Sequence, residues 1–537
     1  MRNLTSHGSK TKKDTMPKVE LYDTTLRDGA QGEGISYSVL DKVSIARELD
    51  RFGMHFIEGG WPGSNPKDME FFRKVCRLDL KNSRIAAFGS TRRPHTRASQ
   101  DNNLAAFLKA GCNIVTIFGK TWDLHVQDVL KTTQDENLNM IKDTVSFLIS
   151  KGMVVFYDAE HFFDAYKTNK AYSLKCLLTA QKAGAARLVL CDTNGGTLTS
   201  EISRVIREIR PKLRSGLGIH CHNDCGLAVA NSIAAVEAGV NMVQGTINGY
   251  GERCGNADLI PIIANLKMKL GIDCIDTVKL KDLTHLSRFV SEISNMKQRN
   301  DQPYTGDSAF AHKGGVHINA VMKNPASYEH IDPGAVGNRR KMLVSELGGK
   351  TGILIRAKDL NLDLAKDDPK TKKILALLQS LENRGYHFEA AEASFEIMLK
   401  RALKKYKQFF ELEGFRVVVE KIGNKKITSE AIIKIKVKGI KEHTAAEGDG
   451  PVNALDNALR KALKDFYPTL SKMHLSDFKV RVLDEKKGTA APVRVFIQSQ
   501  DESDNWNTIG VSENLIEASW QALVDSVEYK LLKDNIK

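Results

Sequence analysis

The sequence predicts an α/β fold: a closed (β/α)8 barrel of the TIM-barrel class, then a linker region, then a C-terminal α+β domain. Three observations predict it. Eight short apolar runs rich in Val and Ile alternate with longer amphipathic stretches between Lys18 and about Asn265, the rhythm of repeated βα units. Eight units in roughly 250 residues match a closed barrel, whereas an open doubly wound sheet does not require eight. Polar residues gather just after the apolar runs, where barrels of this class keep their chemistry.

The expected strands, in order, are "VELYDTT", "HFIEGG", "RIAAFGS", "NIVTIFG", "MVVFYDAE", "RLVLCDT", "LGIHCHND" and "MVQGTINGYG". Between them lie helical patterns such as "SVLDKVSIARELDRFG", "NNLAAFLKAG", "LKCLLTAQKAG" and "LAVANSIAAVEAG", each ending in the glycine that helix C-termini favour. Residues 1–17 read as a disordered basic arm, in which Met16 offers a second start, and 18–272 as the barrel. Residues 273–388 are less regular, with Gly-rich "FAHKGGVHINAVMKNPASYEHIDPGAVGN" and "SELGGKTG", and read as a linker region. Residues 389–537 read as the α+β domain: a helix "ASFEIMLKRALKKYKQFF", strands "FRVVVEKIG" and "EAIIKIKVKG", a Gly-rich turn, and helix "PVNALDNALRKALKDF". Strands "FKVRVLD", "PVRVFIQSQ" and "WNTIGVS" follow, with a last helix from about Glu513.

Composition narrows the function. The 537 residues carry a net charge of +14, which raises nucleic acid as a partner. Lys and Arg are interspersed with acids, however, and the one dense run, "LKRALKKYKQ", reads as a solvated helix face; no nucleic-acid partner is expected. A basic field also suits an anionic ligand such as coenzyme A. No apolar stretch reaches the roughly 20 residues of a membrane span, and the N-terminus lacks a secretory apolar run. The eight cysteines include no CxxC pair, which fits a reducing, cytoplasmic setting.

The motif "HCHND" sets His220 and His222 two apart on an expected strand, so both imidazoles face one way. Two such imidazoles with one carboxylate and open positions make a catalytic metal centre. Asp23, at the end of the first strand, is the expected carboxylate. The ligand set does not choose between Mn, Mg, Zn and Co. Arg27 is a fixed cation with a planar donor fork suited to a carboxylate or a developing alkoxide, and Asp28 is placed to support it. A capped turn with an exposed Asp–Arg pair is the alternative for that cluster.

"DTTLRDG", "HCHND" and "GERCGNADL" together resemble the metal-dependent barrel family of isopropylmalate, homocitrate and citramalate synthases. The C-terminal "GDGPVNALDNALRKAL" resembles that family's regulatory domain, so the similarity covers nearly the whole chain from residue 18. Within the family, "EGGWPGSNPKD" and "IFGKTWDLHV" are most similar to the citramalate synthases. The resemblance implies condensation of acetyl-CoA with a 2-oxo acid, here pyruvate, and hydrolysis of the thioester, opening a route to isoleucine. It implies a divalent metal held by Asp23, His220 and His222 with Asn256 nearby, and Arg27 facing the oxygen that becomes negative. Thr193, with Arg27 and Asp28, binds the oxo acid, and Glu160 matches an active-site glutamate. His317 and Tyr328 match acid–base residues that reach the barrel mouth from a partner subunit, which implies a homodimer. An amino-acid effector, isoleucine, is expected at the C-terminal domain, with "AEGDG" presenting N–H groups at a helix start or forming a plain tight turn. His312 reads as structural, and Trp122 and His125 as packing; Phe118 and Tyr157 are candidates for the oxo-acid pocket.

Other readings are weaker. An isopropylmalate synthase differs by a few pocket residues, since one or two methylenes decide it. A lyase of the hydroxymethylglutaryl-CoA type carries a Gly-Cys-Pro loop where this chain has "GYGERCGNADL". A biotin-dependent carboxylase needs an "AMKM" site that is missing. A non-catalytic amino-acid sensor would have lost motif residues, and none is lost.

Overall fold

The computed structural model describes residues 18–343, 354, 357, 364–365, 368–424, 426–501 and 504–534. The expected arm at 1–17 and the segment "SELGGKTG" lie outside the described residues. The chain divides into two compact units, 1–310 with 331–339, and 311–330 with 340–537.

The first unit is a closed barrel of eight parallel strands in chain order. They are β1 (Glu20–Asp23), β2 (Phe56–Gly60), β3 (Arg84–Ser90), β4 (Ile114–Lys120), β5 (Val154–Glu160), β6 (Arg187–Asp192), β7 (Gly216–Cys221) and β8 (Met242–Gly245). β1 pairs with both β2 and β8, which closes the ring. Helices fill the intervals as the sequence predicts. The first, Val39–Phe52, opens on a Ser38–Asp41 capping box and stops at Gly53, whose φ of 102° is a left-handed conformation that suits glycine.

Strand alternation sorts the barrel side chains into two sets. Tyr22, Phe56, Ala86, Ile114, Phe156, Val189, Cys191 and Met242 pack together inside the barrel. Their strand neighbours Leu21, Ile57, Ala87, Val115, Tyr157, Leu190, Ile219 and Val243 belong to the larger cluster between sheet and helices. Continuing the inward parity toward the strand C-termini brings Thr24, Glu58, Phe88, Phe118, Lys120, Asp158, Glu160, His220, His222 and Gln244 to the mouth.

The second unit begins with two short parallel strands, β9 (Ala311–His312) and β10 (Lys341–Met342), with the helix Gly315–Lys323 between them in sequence. Helices Pro369–Asn383 and Glu392–Ala402 follow. Next comes a three-stranded antiparallel sheet of β11 (Phe410–Glu420), β12 (Thr428–Val437) and β13 (Ile440–Gly448), covered by helix Pro451–Leu463. The arrangement then repeats with β14 (His474–Val482), β15 (Val493–Gln500), β16 (Asn505–Ser512) and helix Leu515–Lys533. One core joins the halves: Ile433 and Ile435 with Leu455 and Leu459, and Val495 and Ile497 with Trp506, Leu523 and Val527.

Two expectations fail here. The helix predicted through Phe410 ends at Ala402, and Lys404 sits at a φ of 55°, so the basic run is not one helix face. The segment expected as a Gly-rich turn is β13 up to Gly448. Lys438 and Gly439, both at positive φ, form the two-residue hairpin turn that joins it to β12.

Candidate active site

β7 delivers His220 and then His222 to the barrel interior, where their ring centroids lie 5.3 Å apart. The carboxylate that meets them belongs to Asp28. Its Oδ2 is 3.4 Å from His220 Nε2 and 3.9 Å from His222 Nε2, and all three residues are buried. This replaces the assignment of Asp23. Tyr22 and Thr24 point inward from β1, so Asp23 points outward toward the helix layer. There its Oδ1 accepts from Thr25 N at 3.0 Å and its Oδ2 from Thr25 Oγ1 at 2.8 Å. Asp28 comes back to the mouth on the turn after β1, where its N–H donates to Thr24 Oγ1 at 3.4 Å.

Arg27 lies between Glu58 and Asp28. Its Nε donates to Glu58 Oε1 at 2.6 Å and its Nη1 to Asp28 Oδ2 at 3.0 Å. The guanidinium carbon lies 3.7 Å from the centre of the Phe88 ring. Glu58, fully buried, also accepts from Thr24 Oγ1 and from Tyr22 OH, each at 2.5 Å. Among the described residues nothing occupies Arg27 Nη2, which leaves it for an anionic oxygen. Phe118 stacks on Phe88 with centroids 5.4 Å apart, and Trp61 meets both edge-on. Tyr157 is fully buried among the outward residues and cannot line the mouth.

Around this centre, His222 forms an isolated bridge with Asn256. Asn256 Nδ2 donates to Tyr250 O at 3.2 Å, while its Oδ1 is buried with no hydrogen-bond partner among the described residues. Thr193 Oγ1 accepts from His161 N at 2.9 Å. Glu160 pairs with Lys120. Arg253 braces the loops after β6, β7 and β8: it grips both oxygens of Asp224 and donates to Thr193 O at 2.8 Å. Trp122 and His125 stack with centroids 5.4 Å apart, and His161 meets His125 at 4.4 Å. In the second unit His317 and Tyr328 form a ring pair of their own, 4.2 Å apart. His312 is tied to Glu329 at 3.0 Å, and Arg340 holds both oxygens of the same glutamate.

The electrostatics are uneven. Burial alone would raise the Asp28 carboxyl, but Arg27 and the two histidines hold it well below the usual carboxylate range. Burial works against a charged His220, yet the bond to Asp28 raises it, whereas burial and the neighbouring His220 push His222 down to about 4. His220 is thus the more basic of the two imidazoles, and a ring nitrogen must be free of its proton before it can ligate a cation. The donor set fits a divalent cation: two imidazole nitrogens and a carboxylate held ionised.

Asp23 gives a first test. Burial pushes its carboxyl up to about 7 from an ordinary 3.8, so the folded chain binds this proton more tightly than the unfolded chain does. The stability it contributes is complete below about pH 4 and is lost as pH rises to about 7. Asp23→Asn removes that dependence. Urea unfolding at pH 5, 6, 7 and 8 should show the variant gaining on wild type up to about pH 7 and no further. A difference that stays constant across the series would contradict an outward, desolvated Asp23.

Comparison with known proteins places the chain in a class first. Residues 18–290 match the HMGL-like family, 304–385 the homocitrate synthase post-HMGL domain-like family, and 389–531 the LeuA allosteric (dimerisation) domain. The chain belongs to the isopropylmalate/homocitrate synthase family of HMGL-like enzymes. It is 54% identical over 519 residues to an (R)-citramalate synthase of Geobacter sulfurreducens, covering 96% of this chain and 98% of that one. An (R)-citramalate synthase of Aquifex aeolicus is 52% identical, with the same coverage. A 2-isopropylmalate synthase of Methanocaldococcus jannaschii is 30% identical, over 96% of this chain and 95% of that one.

Proposed function

We propose that the chain is an acyltransferase that condenses acetyl-CoA with pyruvate and, with water, releases (R)-citramalate and free CoA. The observation that carries this reading is the full-length similarity, at 46–54% identity, to five (R)-citramalate synthases. The intact Asp28, His220 and His222 set supports it.

Asp28, His220 and His222 would hold a divalent cation, Mn, Mg, Zn or Co, which supplies Lewis acidity and a template for a 2-oxo acid. Arg27 offers Nη2 to the ketone oxygen as it gains negative charge. Its other donors stay fixed on Glu58 and Asp28, so no side-chain ordering is left for the moment of reaction. Thr193 binds the carboxylate of the oxo acid. Glu160 acts in the proton transfers at the thioester methyl group, which require a positioned base. His317 and Tyr328 complete the acid–base set from the second subunit of a homodimer. The C-terminal domain binds an amino-acid effector, isoleucine, and the match to an allosteric and dimerisation domain supports both proposals. Among the described residues no helix is long and apolar enough to cross a membrane; a cytoplasmic setting is proposed.

The test is thiol release from acetyl-CoA with pyruvate, 2-oxoisovalerate and 2-oxoglutarate in parallel, with and without EDTA. Pyruvate should be preferred and EDTA should abolish turnover until a divalent cation is restored. A preference for 2-oxoisovalerate would turn the assignment to an isopropylmalate synthase.

A further inference from the structure

His220 can serve a cation through Nε2 only if the lone pair resides there, and its other nitrogen decides that. We infer that Gln244 and Asp158 are positioning residues that hold His220 in the tautomer whose Nε2 faces Asp28 and His222. The inference rests on the reading of those three side chains as a divalent-cation site.

His220 Nδ1 lies 2.9 Å from Gln244 Oε1, and Gln244 Nε2 donates to Asp158 Oδ1 at 3.2 Å. The amide oxygen carries no hydrogen, so His220 Nδ1 must donate. The orientation of the amide is set in turn by Asp158, whose Oδ1 accepts from Gln244 Nε2; burial pushes that carboxyl up to about 7 against the pull of His220, Arg27 and the Gln244 bond, and in its carboxylate form it only accepts. Turning the amide over would set Oε1 against that carboxylate and present an N–H to the ring. His220 would then keep its lone pair on Nδ1 and aim an N–H at the cation.

The three groups are locked in place. Gln244 is fully buried, and Asp158 and His220 are 4% and 5% exposed. β7–β8 register sets His220 directly beside Gln244, and Asp158 reaches Gln244 from β5 across the barrel interior. A polar Gln in a short strand with Met242 and Val243 was the trace of this role in the sequence. Groups that orient a metal-binding imidazole typically change affinity 10- to 100-fold when removed.

The test measures binding of Mn2+ or Co2+ to the full-length chain by titration calorimetry, with thermal melts alongside. Gln244→Met should weaken binding about 10- to 100-fold, and Asp158→Asn, which lets the amide turn over, should weaken it less. The exchange variant Gln244→Glu with Asp158→Asn keeps an acceptor for His220 Nδ1 and a donor behind it. It should bind more tightly than Gln244→Met, short of the roughly 10-fold loss that marks a missing orienting group. With 15N-labelled histidine, His220 should be the Nδ1–H tautomer in wild type and a mixture in Gln244→Met. Wild-type chain that takes up no stoichiometric cation would remove the cation site itself, and the inference with it. Wild type that binds while Gln244→Met binds equally tightly would remove only the positioning role. If Gln244→Met does not fold, Asp158→Asn and the exchange variant decide: Asp158→Asn at wild-type affinity, or no recovery in the exchange variant, overturns it.

Discussion

Asp28→Asn is expected to lower kcat/KM by about a thousandfold and to weaken divalent-cation binding with it, while leaving the fold intact. Asparagine has the same size and keeps an oxygen for Arg27 Nη1, now 3.0 Å from Asp28 Oδ2, so the packing survives. The charge is lost, and in the proposed cation site Asp28 supplies it: among the described residues it is the carboxylate grouped with both His220 and His222. A Lewis-acid site supplies several kcal/mol of charge stabilisation, and each 1.36 kcal/mol is tenfold in rate, so a loss of about three powers of ten follows. Asp23→Asn is the matched control, since it makes the same chemical change five residues away on the outward face. It should keep cation binding and most turnover. Equal losses in the two variants would mean that the carboxylate facing the imidazoles has been assigned to the wrong residue.

The contrast between these two aspartates shows what was legible in the sequence. The barrel was, because its strands are short apolar runs and several of the helices between them carry a stop signal, such as Gly53. The paired histidines were, because a two-residue spacing needs only strand alternation. The carboxylate partner was not, because "YDTTLRD" offers two aspartates, and choosing between them requires the parity of β1. Tyr22 carries that parity, but a tyrosine reads equally well inside or outside a barrel. Gln244 and Asp158 were missed for a related reason: their role exists only when β5 and β8 face one another across the interior, and no local pattern encodes that. β13 was missed because "KEHTAAEG" is polar and only half covered by its helix, so the period of two is faint.

Arg27→Met is the variant expected to cost the most stability. Arg27 is the cation that neutralises both Glu58, fully buried, and Asp28, 3% exposed. Removing one partner of a buried ion pair leaves the other charged and unsolvated, which costs about 3–5 kcal/mol. The stacking of the guanidinium on Phe88 is lost as well. Arg27→Lys does not repair this. An ammonium group is a single point of charge, whereas the guanidinium reaches Glu58 through Nε and Asp28 through Nη1 from one rigid plane. Lysine must leave one carboxylate behind, and it offers no fixed donor to an incoming oxygen. The decisive comparison is Arg27→Met with Glu58→Gln. Neutralising Glu58 removes one buried charge; the amide oxygen still accepts from Thr24 Oγ1, and Tyr22 OH, facing the new amide N–H, can turn its own hydrogen to Thr116 Oγ1. Urea unfolding should therefore recover a large part of the lost stability, while thiol release stays at the level of Arg27→Met alone. Recovery of both would assign Arg27 to scaffolding, with no part in the reaction. Recovery of neither would mean that Glu58 is not the charge left stranded. Stability returning without turnover is the outcome that places Arg27 in both roles, holding the inner carboxylates with two of its donors and the reacting oxygen with the third.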